Sequence, residues 1–392
     1  MDDIKNIISS IISSSIDNHS SVGENCAVFK DGKEIFSGSF GLADRENGVS
    51  MSKDRIFRLF SLTKPITSSA VMILFDRNAL SPDTEVRDIF PEFADLTYID
   101  ENDTIHSYDG ALTVEHLLTM TSGLPYANNF NKSVCGAGRL FDSVIEGIDS
   151  TGCGDITTEQ FCRLAADIPL SFRPGEKWDY GISADILGGI VERVSGMRYG
   201  EFLRENIFEP LGMYDTGFYV PEEKRDRLAA LYSWGEKGLT RDYGNYLGLT
   251  DYTAPPAFES GGAGLVSTIG DYARFACMLA NRGELDGVRI ISEKSFGYMT
   301  APHLGNAQAA CLWDRLSGYN YGSLMRVMTN VDSAQIKTCN GEFGWDGWTG
   351  TYFCADAENR IVVLYFTQIC GAGTTGEAAR ISSEVYSKLL GK

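Results

Sequence analysis

The segments of strand length and apolar character lie at the two ends of this chain, and the helical patterns lie between them. Near the start, Cys26-Ala27-Val28-Phe29 and Glu34-Ile35-Phe36-Ser37-Gly38 flank Lys30-Asp31-Gly32-Lys33. An Asp-Gly pair at such a position makes a β-hairpin, because both residues tolerate positive φ. A further short strand is expected over Ile56 to Phe60. Near the end, Trp348 to Cys354 and Arg360 to Phe366 read as two strands joined by a polar turn. Helices are expected over residues 3–17, 64–79, Val114 to Met120, Thr158 to Asp167, Asp185 to Val194, Gly270 to Asn281 and Gly376 to Leu390. Residues 127–156, rich in Gly, Ser and Asn, read as a long loop.

The simplest assembly is an α/β (α+β) fold: one antiparallel sheet built from both chain ends, flanked by terminal helices, with a mostly helical insertion. On this reading, 1–85 and 255–392 form a discontinuous sheet domain, 86–254 form the insertion, and a site lies between them. A chain of 392 residues is long enough for such a composite. Its net charge of −19 disfavours nucleic acid and anionic membrane surfaces as partners. Nine cysteines, odd in number and without a C-x-x-C, read as reduced and mostly buried thiols. Met1-Asp2-Asp3 is acidic where a secretory signal is basic, so a cytoplasmic location is expected. The four histidines show no metal-ligand spacing. There is no G-x-S-x-G elbow and no phosphate-binding glycine motif. No metal and no cofactor are expected.

Ser61-Leu62-Thr63-Lys64 stands at the mouth of an apolar helix. A serine hydroxyl needs a nearby base to act as a nucleophile. A lysine three residues on shares its helix face, and burial can lower its pKa enough to serve. Backbone N–H groups at the helix start favour an oxyanion. The alternative is an N-cap serine and a solvated lysine. Ser50-Met51-Ser52-Lys53 fits the same pattern in a polar turn and reads as a chance copy.

The surroundings discriminate. IFRLFSLTKPITSSAVMILFDRNALSPDTEVRDIFPEF (56–93), LTVEHLLTMTSGLPY (112–126), FRPGEKWDYGISADILGGIVERVSG (172–196), PLGMYDTGF (210–218), GGAGLVSTIGDYARFACML (261–279) and FGWDGWTGTYF (343–353) occur in order. Together they resemble the serine β-lactamase and penicillin-binding-protein superfamily. Within it, the likeness is greatest to the class C β-lactamase-like esterases, the family VIII carboxylesterases. The resemblance implies a β-lactamase-like fold and an acyl-enzyme on Ser61, with Lys64 and Tyr180 as its bases. Tyr180 matches the tyrosine of the Tyr-x-Asn motif, but Ile182 stands where lactamases carry asparagine. Asp185 is expected to cap or brace that segment. Trp345-Asp346-Gly347 occupies the place of Lys-Thr-Gly, with Trp345 as an apolar wall and Gly347 allowing close backbone approach. The implied oxyanion hole is the pair of backbone N–H groups of Ser61 and Trp348.

The activity implied is that of a carboxylesterase or transacylase on a small-molecule ester. The alternatives are a β-lactamase or D-amino-acid peptidase-like amidase, and a catalytically silent binding protein. A missing basic residue at 345 and the absence of an export signal weigh against the lactamase. His116 is expected to pack a helix, and Ser122-Gly123-Leu124-Pro125 to form a turn. Glu259-Ser260-Gly261-Gly262 reads as a bend near the cleft. Tyr126, Tyr232, Trp234, Tyr243, Tyr246 and Tyr252 are loop aromatics that either floor the pocket or cover the core.

Overall fold

The structure, a computed structural model, describes residues 2–127, 132–147, 154–244, 246–249 and 251–391. Its centre is an eight-stranded antiparallel sheet. Strands β1 (Gly23–Lys30), β2 (Lys33–Asp44) and β3 (Val49–Ser50) come from the start of the chain. Strands β4 (Tyr319–Tyr321), β5 (Arg326–Met328), β6 (Phe343–Asp346), β7 (Tyr352–Asp356) and β8 (Ile361–Phe366) come from its end. The spatial order is β4-β5-β6-β7-β8-β1-β2-β3, so the two sets meet at β8 and β1, with Ala27 opposite Leu364. The β1–β2 turn has Asp31 at φ 54° and Gly32 at φ 73°, the left-handed pair that a two-residue hairpin requires.

The central strands are buried on both faces, which is why they read as apolar runs rather than as alternating ones. Cys26, Val28, Cys354, Val363 and Tyr365 face α1 (Asp2–Asp17) and the last helix, Gly376–Leu390. Ala27, Phe353, Ala355, Val362 and Leu364 face the other way, into the main core. Helix Ile269–Ala280 packs there, started by Thr268, whose hydroxyl accepts from Asp271 N–H at 3.1 Å.

Two short features place the site. Ile56–Arg58 pairs with Val266–Thr268 in a separate ribbon, and Leu59 N–H donates to Leu265 O at 2.9 Å. The chain then turns through Phe60–Leu62 into helix α2 (Thr63–Asp76), buried from Thr63 to Leu74. Beside it lies α3 (Ser183–Ser195).

Two expectations are corrected. Residues 127–156 are not one long loop: Lys132–Glu146 is a helix. Val134, Ala137, Leu140, Phe141 and Val144 form its buried face, an apolar stripe at helical spacing among Gly and Ser residues. The parts of that stretch at 128–131 and 148–153 lie outside the described residues. The expected strand Trp348–Cys354 begins only at Tyr352, because Trp348–Gly350 make the turn that follows β6. The eight described cysteines are all free; five are buried, Cys370 is partly buried, and Cys135 and Cys311 are exposed, in keeping with reduced and mostly buried thiols. Among the described residues no helix is long and apolar enough to cross a membrane, and no cluster of His, Cys, Asp and Glu is arranged to hold a metal.

Candidate active site

Phe60, immediately before Ser61, has φ 45°. A bulky residue in that conformation is strained, and its surroundings must hold it. They do so from the turn after β6. Thr349 Oγ1 donates to Arg58 O at 3.2 Å, Thr351 Oγ1 donates to Leu59 O at 3.0 Å, and the Phe60 ring meets the Trp348 ring edge-on at 5.3 Å. The serine turn and the Trp348 turn are therefore stitched together. Gly347 sits at the tightest point, where a Cβ would lie 2.2 Å from Leu59 O and 2.1 Å from Thr351 Oγ1. No described residue accepts a hydrogen bond from the Trp348 N–H.

Lys64 lies on the first turn of α2 with its side chain wholly buried. Its Nζ donates to Ser61 Oγ at 3.1 Å, to Tyr126 OH at 3.0 Å and to Gly262 O at 2.8 Å. Burial pulls its pKa down to about 7, with Asp185 and Asp346 opposing the fall. The neutral amine, with a free lone pair, is therefore far more accessible at neutral pH than for an ordinary lysine.

Tyr180 lines the same cleft. Its hydroxyl accepts from Trp345 Nε1 at 3.0 Å and lies near enough to the Ser61 side chain to feel it electrostatically. Lys64 Nζ approaches the face of its ring, 4.5 Å from the centroid. Burial pushes the Tyr180 pKa upward; the Ser61 hydroxyl and the Trp345 N–H only partly offset this. The phenol is thus protonated at rest, and the neutral amine of Lys64 is the stronger resting base.

Trp345 is displaced from its expected role. It is 2% exposed, lies behind Tyr180 with ring centroids 5.5 Å apart, and is absent from the cleft wall. The alternation of β6 decides this: Trp345 points into the core and Asp346 points to the cleft. Asp185 braces a neighbouring loop, not the segment it was expected to cap. Its Oδ1 accepts from Ser260 Oγ at 2.5 Å and from Gly262 N–H at 3.0 Å, which fixes the loop whose carbonyl holds Lys64. The bend 259–262 is therefore a support for the lysine rather than part of the cleft lining. His116 closes a helix cap with Thr113, and Ser122 Oγ pairs with Ser183 Oγ at 2.8 Å. Ser50 and Lys53 are both exposed.

Tyr126 is the partner that sequence reasoning left unassigned. Both it and Tyr246 line the cleft, whereas Tyr232 and Tyr252 are buried and Trp234 and Tyr243 are exposed. Its signal in the sequence is its place directly after the turn Ser122-Gly123-Leu124-Pro125, within a segment that resembles the family. The cleft has a volume of about 490 Å³ and aromatic walls that include Phe60, Trp313 and Trp348.

The Beta-lactamase family profile matches residues 8–382. The chain belongs to that family. Esterase EstB of Burkholderia gladioli is 30% identical over 372 residues, covering 91% of this chain and 88% of EstB. Protein Rv1367c of Mycobacterium tuberculosis is 30% identical over 370 residues, covering the same shares, 91% and 88%. Lovastatin esterase of Penicillium rubens is 28% identical, covering 93% of this chain and 90% of its own length. Among solved structures, EstCE1, a hydrolase with promiscuous acyltransferase activity, superposes with a TM-score of 0.80 at 24% identity, covering 97% of this chain and 98% of EstCE1. At that identity the superposition bears on the fold alone, and the antiparallel sheet made from both chain ends is β-lactamase-like.

Proposed function

We propose that this family member is a serine carboxylesterase, acting on small or medium esters through an acyl-enzyme on Ser61. The observation that carries the reading is the buried Lys64, with a pKa near 7, donating to Ser61 Oγ at 3.1 Å. In its neutral form it accepts the Ser61 proton as Oγ attacks the ester carbonyl carbon. The carbonyl oxygen becomes an oxyanion between the backbone N–H groups of Ser61 and Trp348. Collapse breaks the bond to the alcohol oxygen. The proton taken by Lys64 passes to that oxygen, with the Tyr180 hydroxyl as the donor nearest the cleft. Water, activated in the same way, then releases the acid and restores Ser61. A second alcohol in place of water makes the same cycle a transacylation. Tyr126 and Gly262 hold the amine, and Trp345 holds the phenol.

The names of the relatives, esterases among them, support this substrate class. The test compares wild type with Ser61→Ala on 4-nitrophenyl butyrate and on nitrocefin. Turnover of the ester alone, lost in the variant, is the expected result. Nitrocefin hydrolysis at a comparable rate moves the assignment to a lactamase. A folded protein whose Ser61 resists a fluorophosphonate probe is a binding protein.

A further inference from the structure

The cleft contains one guanidinium that the ester reaction does not need. Arg315 comes from the turn Asp314–Leu316, far in sequence from the other site residues, and its side chain is half-exposed at the cleft wall. It is fixed in two ways. Nη1 donates to Asp346 Oδ2 at 3.0 Å, and Cζ lies 4.5 Å from the centroid of the Trp313 ring. Trp313 in turn touches Tyr180, with centroids 5.1 Å apart. Two ring contacts thus separate the guanidinium from the Tyr180 phenol, which lines the cleft with Ser61. The electrostatic influence of both Arg315 and Asp346 reaches the Tyr180 phenol.

The pair is lopsided. Asp346 is largely buried, and its Oδ2 already accepts from Arg315 and from Thr374 Oγ1. Among the described residues, Nη1 is the only nitrogen of this guanidinium with a hydrogen-bond partner, so Nε and Nη2 keep their N–H groups for a ligand. A planar fork held by stacking at one side of an aromatic cleft is suited to a carboxylate. Gly373 makes room for the ion pair itself: a Cβ there would lie 3.2 Å from Arg315 Nη1 and 3.9 Å from Asp346 Oδ2, in a backbone with φ 54°. The net charge of −19 does not cancel the attraction, because distant charges are screened beyond about 8 Å at physiological salt whereas Arg315 acts at contact.

We propose that Arg315 is a specificity-determining residue, and that the preferred substrates are esters carrying a carboxylate that the free edge of its guanidinium binds. This rests on the esterase reading and names its substrate class. It also answers the expectation that the cleft lacks a basic group because position 345 is Trp: the charge enters from another segment and is held by Asp346.

The experiment compares kcat/KM for 4-nitrophenyl hydrogen glutarate and 4-nitrophenyl valerate, which differ by a carboxylate in place of a methyl group. A second pair, 4-carboxyphenyl valerate and phenyl valerate, carries the charge on the departing alcohol. Rates in Ser61→Ala protein are subtracted. One of the two pairs is expected to favour the anionic ester about tenfold, the effect of one partly solvated charge-assisted hydrogen bond. Arg315→Gln should bring that ratio to unity or below, since Asp346 is then unmasked, and Arg315→Lys should retain part of it. Should Arg315→Gln not fold, inhibition of the wild type by glutarate and not by glutaramide reads the same preference. Turnover with neither pair favouring the anion, or a ratio unmoved in folded Arg315→Gln, overturns the inference and leaves the esterase reading standing. No turnover above the Ser61→Ala protein overturns both.

Discussion

Trp345 Nε1 donates to the Tyr180 hydroxyl at 3.0 Å, from a side chain that never reaches the cleft. The strand residue that resembles the basic anchor of the lactamases therefore touches the phenol and not the cleft surface. An N–H aimed at a phenolic oxygen favours its deprotonated form, and so opposes what burial does to Tyr180. Trp345→Phe keeps an aromatic ring and removes the donor. It is expected to lower kcat/KM on neutral esters about tenfold, the worth of one hydrogen bond of about 1.4 kcal/mol. KM should change little, because no cleft surface is lost. A change confined to KM would return Trp345 to the role of a substrate wall.

Ser61→Ala should reduce ester turnover by at least about a thousandfold without changing the circular dichroism spectrum, since only a hydroxyl is removed. Ser50→Ala, the matching change in the exposed second copy of the pattern, should leave turnover intact. An inactive Ser50→Ala protein would overturn the assignment of the nucleophile.

The pH dependence follows from Lys64. Its folded pKa of about 7 makes kcat/KM rise with pH through that value as the amine is freed. Asp185 favours the charged form of Lys64, so Asp185→Asn should move this limb to lower pH. An upward move would contradict the electrostatics. The same group affects stability with a definite sign. The folded protein binds fewer protons than the unfolded chain between about pH 7 and the ordinary lysine range, so stability rises with pH across that window. Lys64→Met should accordingly raise Tm more at pH 6 than at pH 10, as read by calorimetry.

Gly347→Ala places a methyl group against Leu59 O and Thr351 Oγ1 at distances no packed atom adopts. Separating the two turns should cost about 2 kcal/mol or more of stability and displace the Trp348 N–H from Ser61. The expected result is a lower Tm together with a fall in kcat that exceeds any change in KM. Wild-type kcat in a destabilised variant would remove Trp348 from the oxyanion hole.

The sequence carried the architecture well where one residue type decides the backbone, as at Asp31-Gly32, or where burial on both faces leaves an apolar run, as in Ile361–Phe366. It also carried the pairing of Ser61 with Lys64, because a helix fixes which residues share a face. What it could not carry was side-chain direction on a short strand. Trp345 and Asp346 are neighbours, and a pleat sends one inward and the other into the cleft. Arg315 and Tyr126 were hidden for another reason: each reaches the site from a turn whose own spacing has no period. The helix Lys132–Glu146 had a legible stripe, and its glycines and serines outweighed it.

The β8–β1 seam has a consequence for biosynthesis. Asn25 pairs with Phe366 and Lys30 with Ile361, so a strand that emerges early from the ribosome waits for more than 300 further residues before its neighbour exists. During that interval the β1–β2 hairpin has an open edge and an unshielded apolar surface on the face turned away from α1. Loop closure over such a span is slow compared with local folding. The nascent chain should therefore hold its helical middle before its sheet, and a truncation that removes Ile361–Phe366 should release from the ribosome a protein with native-like helices, no central sheet, and a strong tendency to associate through β1.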